Sequence, residues 1–135
     1  MSDATSIASE TTPKATKSLR ILYADDVREL RRLLEISLGN DGHRVETVPD
    51  GREALDRVMA GVDDFDVVIT DHHMPNMNGL EFVTRLRESS YRGRVMVFSS
   101  ELSESVSDAY RALGVDCILP KPIFPLTLRS IIATF

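Results

Sequence analysis

Along the chain, short runs of apolar residues alternate with longer stretches in which apolar residues recur every three or four positions. The runs at residues 19–24, 65–70, 95–99 and 117–119 predict strands, and a half-alternating stretch at 43–48 predicts one more. Between them, stripes with a period near 3.6 predict helices. The stripes are Leu30, Leu34 and Leu38 with Val27 and Leu33; Ala54, Leu55, Val58 and Met59; Phe82, Val83 and Leu86; Val106, Ala109, Tyr110 and Leu113; and Leu128, Ile131, Ile132 and Phe135. Asp26 with Glu29, and Asp50 with Glu53, have capping-box spacing and mark helix starts. Gly39 and Gly114 stand where helices should stop, and Pro125 where one should begin.

Strands alternating with helices imply an α/β domain with a mostly parallel sheet, because right-handed crossovers return each helix across a sheet face. The order of elements is (βα)5. In such sheets, ligands bind at the carboxyl ends of the strands, where the strand order reverses. Residues 1–18 are polar, rich in Ser, Thr and Ala, and predict a disordered tail, so the folded unit spans 19–135.

Composition narrows the classes of function. The 135 residues suit one domain, and 42% hydrophobic with 27% charged residues is ordinary globular composition. The 16 basic residues against 21 acidic give a net charge of −5, which disfavours nucleic acid and anionic membrane as partners. No stretch reads as a secretory signal or a membrane span, and Cys117 has no partner for a disulfide. A cytoplasmic protein is expected.

The carboxyl ends of the predicted strands carry Asp25 and Asp26, then Asp71, then Ser99 and Ser100, then Lys121 and Pro122. With strand order 2-1-3-4-5, three carboxylates share one rim with a hydroxyl and an ammonium. Carboxylates about 5 Å apart repel by roughly 3 kcal/mol per pair at an effective dielectric near 20, so such a cluster needs a cation or a raised pKa. An oxygen-only donor set with room for water suits Mg²⁺, which usually works on phosphate oxygens. Phosphoryl chemistry follows, with Asp71 as a carboxylate nucleophile, Ser99 as a hydrogen-bond donor and Lys121 as the positive charge.

These residues also carry a resemblance. Asp25-Asp26, the run Asp71-His72-His73-Met74-Pro75-Asn76-Met77-Asn78-Gly79, Ser99-Ser100 and Lys121-Pro122 together resemble the receiver domain of two-component response regulators, over residues 19–135. The resemblance implies a flavodoxin-like fold and a phospho-accepting switch. It makes Asp71 the phosphorylated aspartate, served by a sensor histidine kinase or a histidine phosphotransfer protein. It assigns Mg²⁺ to Asp25, Asp26, Asp71 and the backbone carbonyl of His73. It makes Ser99 and Lys121 the ligands of the phosphoryl group, the Lys121-Pro122 bond cis, and Gly79 the turn into the third helix. It implies a protein that is not an enzyme acting on a separate substrate, and a monomer or weak dimer.

Ile118 departs from the pattern, standing where many receivers carry a Tyr or Phe that turns inward on activation. It is expected either to fill that space or to mark another route to the output surface. Ser100 replaces a residue that is frequently smaller. His72 and His73 do not read as zinc ligands, since neighbours in extended chain point in opposite directions and no Cys or third His is near. His73 is instead expected to face Glu101 and to gate the water that hydrolyses the phosphorylated state. Because the chain stops with the fifth helix, a stand-alone receiver is expected, binding a downstream target protein or relaying phosphate. Its output face would include Arg111, Asp116 and Arg129. The competing reading is a phosphate-independent interaction module on the same fold. A hydrolase would need a second carboxylate where His73 stands, and a flavin protein a phosphate loop where Asp25 and Asp26 would repel it.

Overall fold

A strand with no solvent-facing side has no reason to alternate polar and apolar residues. Val67–Asp71 (β3) is buried at every position. It pairs in parallel with Arg20–Ala24 (β1) on one side and Arg94–Ser99 (β4) on the other. Arg44–Val48 (β2) and Cys117–Pro120 (β5) form the edges, so the computed structural model has the predicted order β2-β1-β3-β4-β5. It describes residues 18–100 and 103–135. The predicted tail lies outside the described residues except for Ser18, whose hydroxyl donates to the Gly42 carbonyl at 2.7 Å.

The helices are Arg28–Asn40 (α1), Gly51–Ala60 (α2), Gly79–Glu88 (α3), Glu104–Ala112 (α4) and Pro125–Ile132 (α5). They divide the core in two. Ala54, Leu55 and Val58 of α2, Phe82, Val83 and Leu86 of α3 and Tyr110 of α4 cover one face, with Leu22, Val68, Val95 and Val97. Leu34 and Leu38 of α1 and Leu128 and Ile132 of α5 cover the other, with Ile21, Tyr23, Ile69 and Phe98. The apolar stripes thus pack as predicted, although Val27, Leu33 and Met59 are exposed.

Helix ends show which local signals prevailed. Asp50 caps α2 by accepting from the Glu53 N–H at 2.8 Å, and its other oxygen accepts from Asn76 Nδ2 at 2.9 Å. Asp50→Ala is expected to cost roughly 0.5–2 kcal/mol, read as a lower urea midpoint, because a cap and the tie to the loop before α3 both go. Asn78 and Glu81 form a complete capping box at α3. Asp26 does not cap α1. Val27 holds the cap position without a side-chain bond, since Asp25 Oδ1 takes the Val27 N–H at 2.8 Å and the Asp26 carboxylate joins the acidic cluster. Gly39 lies inside α1, which runs on to Asn40, and the left-handed residue is Gly42 at φ 93°. Gly114 after α4, at φ 72°, and Pro125 at the start of α5 stand as expected.

His43 is buried before β2, with Nδ1 accepting the Leu19 N–H at 3.1 Å. Burial lowers its pKa, against a smaller upward pull from Asp41. The neutral ring favours the folded state, so its contribution is complete above the unfolded value near 6.5 and is lost as pH falls below it. Urea midpoints are expected to drop between pH 7 and 5, and His43→Gln to flatten part of that slope.

Candidate functional site

The register sets the chemistry at one height. Ala24 pairs with Thr70, Asp71 with Phe98, and Ser99 with Pro120. The residues at or just past these positions, Asp25, Asp71, Ser99 and Lys121, therefore line one rim of the sheet, with Asp26 beside them. Carboxylate oxygens of Asp25, Asp26 and Asp71 lie within 4.8 Å of one another. Asp25 and Asp71 are buried, whereas Asp26 is exposed and lines an open depression with His73, Met74, Pro75 and Asn78.

Lys121 bridges the two buried acids, with Nζ 3.2 Å from Asp71 Oδ2 and 3.3 Å from Asp25 Oδ2. Burial would lower its pKa, but the two carboxylates outweigh that and raise it, so the ammonium form holds. Burial, reinforced by the charge of Asp25, raises the Asp71 pKa against the opposing pull of Lys121. Asp71 Oδ1 accepts the His72 N–H at 2.9 Å. Ser99 is buried at the same rim, and its carbonyl accepts the Lys121 N–H at 2.8 Å. The Lys121-Pro122 bond is cis, as expected.

Three further features were not apparent in the sequence. Tyr23, two residues before Asp25 and on the same side of β1, donates its hydroxyl to Asp25 Oδ2. Burial and the Asp25 charge raise its pKa, keeping the phenol protonated. The two histidine rings, expected to diverge, stand edge to face with centroids 4.7 Å apart, although His72 is buried and His73 is exposed. Neither belongs to the acidic group suited to a metal. Of the residues assigned to an output face, Arg129 is held by Asp41 through two bonds of 2.7 Å, Asp116 by Arg94 and the Val95 N–H, and Arg111 by Asp108. Ile118 is half-buried against the α2–α4 side of the core. Glu101, the expected neighbour of His73, lies outside the described residues.

A larger depression, about 1040 Å³, lies at the opposite end of the sheet, beside Leu19, Gly93 and Phe135. Its arginines are already engaged: Arg20 with Asp66, Arg94 with Asp116, Arg87 with the carbonyls of Leu113 and Gly114, and Arg92 with those of Ser89 and Tyr91. The acidic rim is the better candidate.

The family model for the response regulator receiver domain matches residues 21–133. The chain belongs to this receiver family. It is 39% identical over 104 residues to the response regulator MprA of Mycolicibacterium vanbaalenii, and 33% identical over 121 residues to the sensory/regulatory protein RpfC of Xanthomonas campestris. The alignments cover 77% and 87% of this chain but 44% and 16% of those proteins, so the chain spans less than half the length of these curated relatives. Among solved structures, the chemotaxis response regulator CheY4 of Vibrio cholerae superposes with a TM-score of 0.79 at 32% identity, covering 87% of this chain and 98% of that one. Two-component signalling is thereby the setting of the fold, and phosphorylation and Mg²⁺ are typical of the receiver family.

Proposed function

We propose that this receiver accepts a phosphoryl group on Asp71 from the phosphohistidine of a sensor kinase or a histidine phosphotransfer protein, and that the new charge redistributes two conformations which a partner distinguishes. The observation that carries this is the rim itself: three carboxylates within 4.8 Å, with Lys121 Nζ 3.2 Å from Asp71. In the transfer, an Asp71 oxygen forms a bond to phosphorus as the phosphorus–nitrogen bond breaks, and the donor imidazole leaves with the electron pair and regains a proton. Lys121 holds its charge beside the incoming oxygens, and Ser99, buried at the same rim, would move to donate its hydroxyl to them. The backbone N–H of His72 orients the Asp71 carboxylate.

The acidic donor set fits a hard divalent cation, because it is all oxygen and Asp26 opens it to water. Asp25, Asp26, Asp71 and the main-chain carbonyl of His73 would hold Mg²⁺, which supplies charge neutralisation between the carboxylates and the phosphoryl oxygens. No described helix is long and apolar enough to cross a membrane. A cytoplasmic receiver, monomeric or weakly dimeric and acting on a downstream target protein or passing phosphate to another histidine, is the form we assign.

The test is intact-mass spectrometry after incubation with Mg²⁺ and acetyl phosphate, or with a phosphorylated histidine protein. One hydrolysable phosphoryl adduct, absent when the metal is chelated, supports the assignment. A folded, Mg²⁺-binding protein that takes no adduct from either donor is the phosphate-independent module instead.

A further inference from the structure

His72 follows Asp71 directly, and its backbone and its ring serve different partners. The N–H is shared between Asp71 Oδ1 at 2.9 Å and the Phe98 carbonyl at 3.0 Å. The ring is buried, and Nδ1 shares a 2.6 Å hydrogen bond with the Tyr110 hydroxyl of α4, the two rings standing edge to face. Burial, with help from His73, lowers the His72 pKa, and burial raises that of Tyr110, so the bond joins two neutral groups.

Tyr110 is the one fully buried side chain of α4, while Val106, Ala109 and Leu113 beside it are half-buried. The seating of α4 therefore depends on this ring. Its hydroxyl reaches so far toward α3 that a Cβ on Gly79 would stand 2.7 Å from it and 2.5 Å from the Asp71 carbonyl. The Gly79 N–H in turn donates to the His72 carbonyl at 2.8 Å. His72, Gly79 and Tyr110 thus fasten the end of β3, the start of α3 and the middle of α4 to one another. Ile118, where many receivers carry a Tyr or Phe, is a hydrocarbon and offers no hydrogen bond. A polar path from Asp71 to α4 exists by another route.

We propose that the His72–Tyr110 hydrogen bond transmits the state of Asp71 to α4, with Tyr110 as the positioning residue of that helix. The proposal rests on Asp71 as the group whose charge changes. A carboxylate spreads its charge over both oxygens, whereas an acyl phosphate carries it on the phosphoryl oxygens. The Asp71 oxygen facing His72 becomes a poorer acceptor, and the shared N–H shifts its weight to the Phe98 carbonyl. The His72 ring moves with its backbone, and the anchor of Tyr110 moves with the ring.

The test is amide hydrogen exchange across residues 104–112 of the full chain, in wild type and Tyr110→Phe, each with Asp71 intact and as Asp71→Asn. The Asn amide oxygen reproduces the weakened, uncharged acceptor without any phosphodonor. In wild type, Asp71→Asn is expected to change α4 exchange about tenfold, and in the Tyr110→Phe background less than about twofold. A second series with acetyl phosphate and Mg²⁺ is expected to show the same contrast, with equal adduct yields by mass. A purely structural role for Tyr110 would shift α4 exchange by the same factor in both Asp71 states, and that result overturns the proposal. So does an α4 that ignores Asp71→Asn in wild type. His72→Leu combined with Tyr110→Phe leaves neither polar group stranded, and should abolish the coupling as the single variant does. A wild type that takes no adduct defeats the phospho-acceptor assignment alone, because the Asn series still reads the coupling.

Discussion

Asp71→Asn is expected to take no phosphoryl adduct under conditions in which wild type gains one, yet to melt at a higher temperature at pH 7 without Mg²⁺. The first half follows from the chemistry: an amide oxygen is a far weaker nucleophile than a carboxylate, and no other acid shares the bond to the His72 N–H. The second half follows from linkage. The Asp71 pKa is raised by burial and by Asp25, so the folded state binds a proton more tightly than the unfolded chain. Stability is therefore lost as pH rises from the ordinary carboxylate value through the raised one, and at neutral pH ionised Asp71 works against the fold. Asn removes that penalty. Added Mg²⁺ should raise the melting temperature of wild type more than that of the variant, since one ligand is gone. A variant that melts lower than wild type without metal, or that responds equally to Mg²⁺, contradicts this account of the rim.

Tyr23→Phe is expected to lower stability by about 1.5–3 kcal/mol, the usual cost of losing a hydrogen bond to a charged group in a protein interior. The ring keeps its place, because it packs on Phe98 at a centroid separation of 5.8 Å and fills the α1–α5 side of the core. Only the donor to Asp25 Oδ2 is removed. That oxygen then depends on Lys121 Nζ at 3.3 Å, while Oδ1 keeps the Val27 N–H. Urea titrations at neutral pH should show a lower midpoint with an unchanged slope, the signature of lost stability without a change in exposed surface. Mg²⁺ should recover part of the loss by replacing the missing positive partner. A midpoint within about 0.5 kcal/mol of wild type would mean that the phenol contributes nothing at Asp25.

The fold was legible because its strongest signals are collective. β3 reads as one unbroken apolar run since helices cover both its faces, and the stripes of α2 and α3 pack without exception apart from Met59. Edge strand β2 was weaker to read because Arg44 faces solvent and its middle residues are half-buried. Single-residue signals failed where two uses competed. Asp26 has the spacing of a helix cap, but its charge is drawn to the acidic rim, and Asp25 takes the N–H instead. Gly39 and Gly42 both suit a helix end, and only the chain path past Asn40 decides that Gly42 takes the left-handed turn. Asp25, Asp71, Ser99 and Lys121 were identifiable because each falls at the end of a strand. Tyr23 was hidden inside the apolar run Arg20–Ala24, where an aromatic residue reads as core. His72 and Tyr110 lie 38 positions apart, and no local spacing brings them together.

Distance along the chain has a further consequence at the rim. Lys121 and Asp25 are 96 residues apart, and the ammonium reaches the acids only when β5 has docked on β4. Every partly assembled form, whether still emerging from the ribosome or opened at its last strand, presents acids without their cation. In such a molecule the acids repel one another without the ammonium that offsets them. On the proposed function, a chain whose last strand has not docked would therefore be a poor phospho-acceptor.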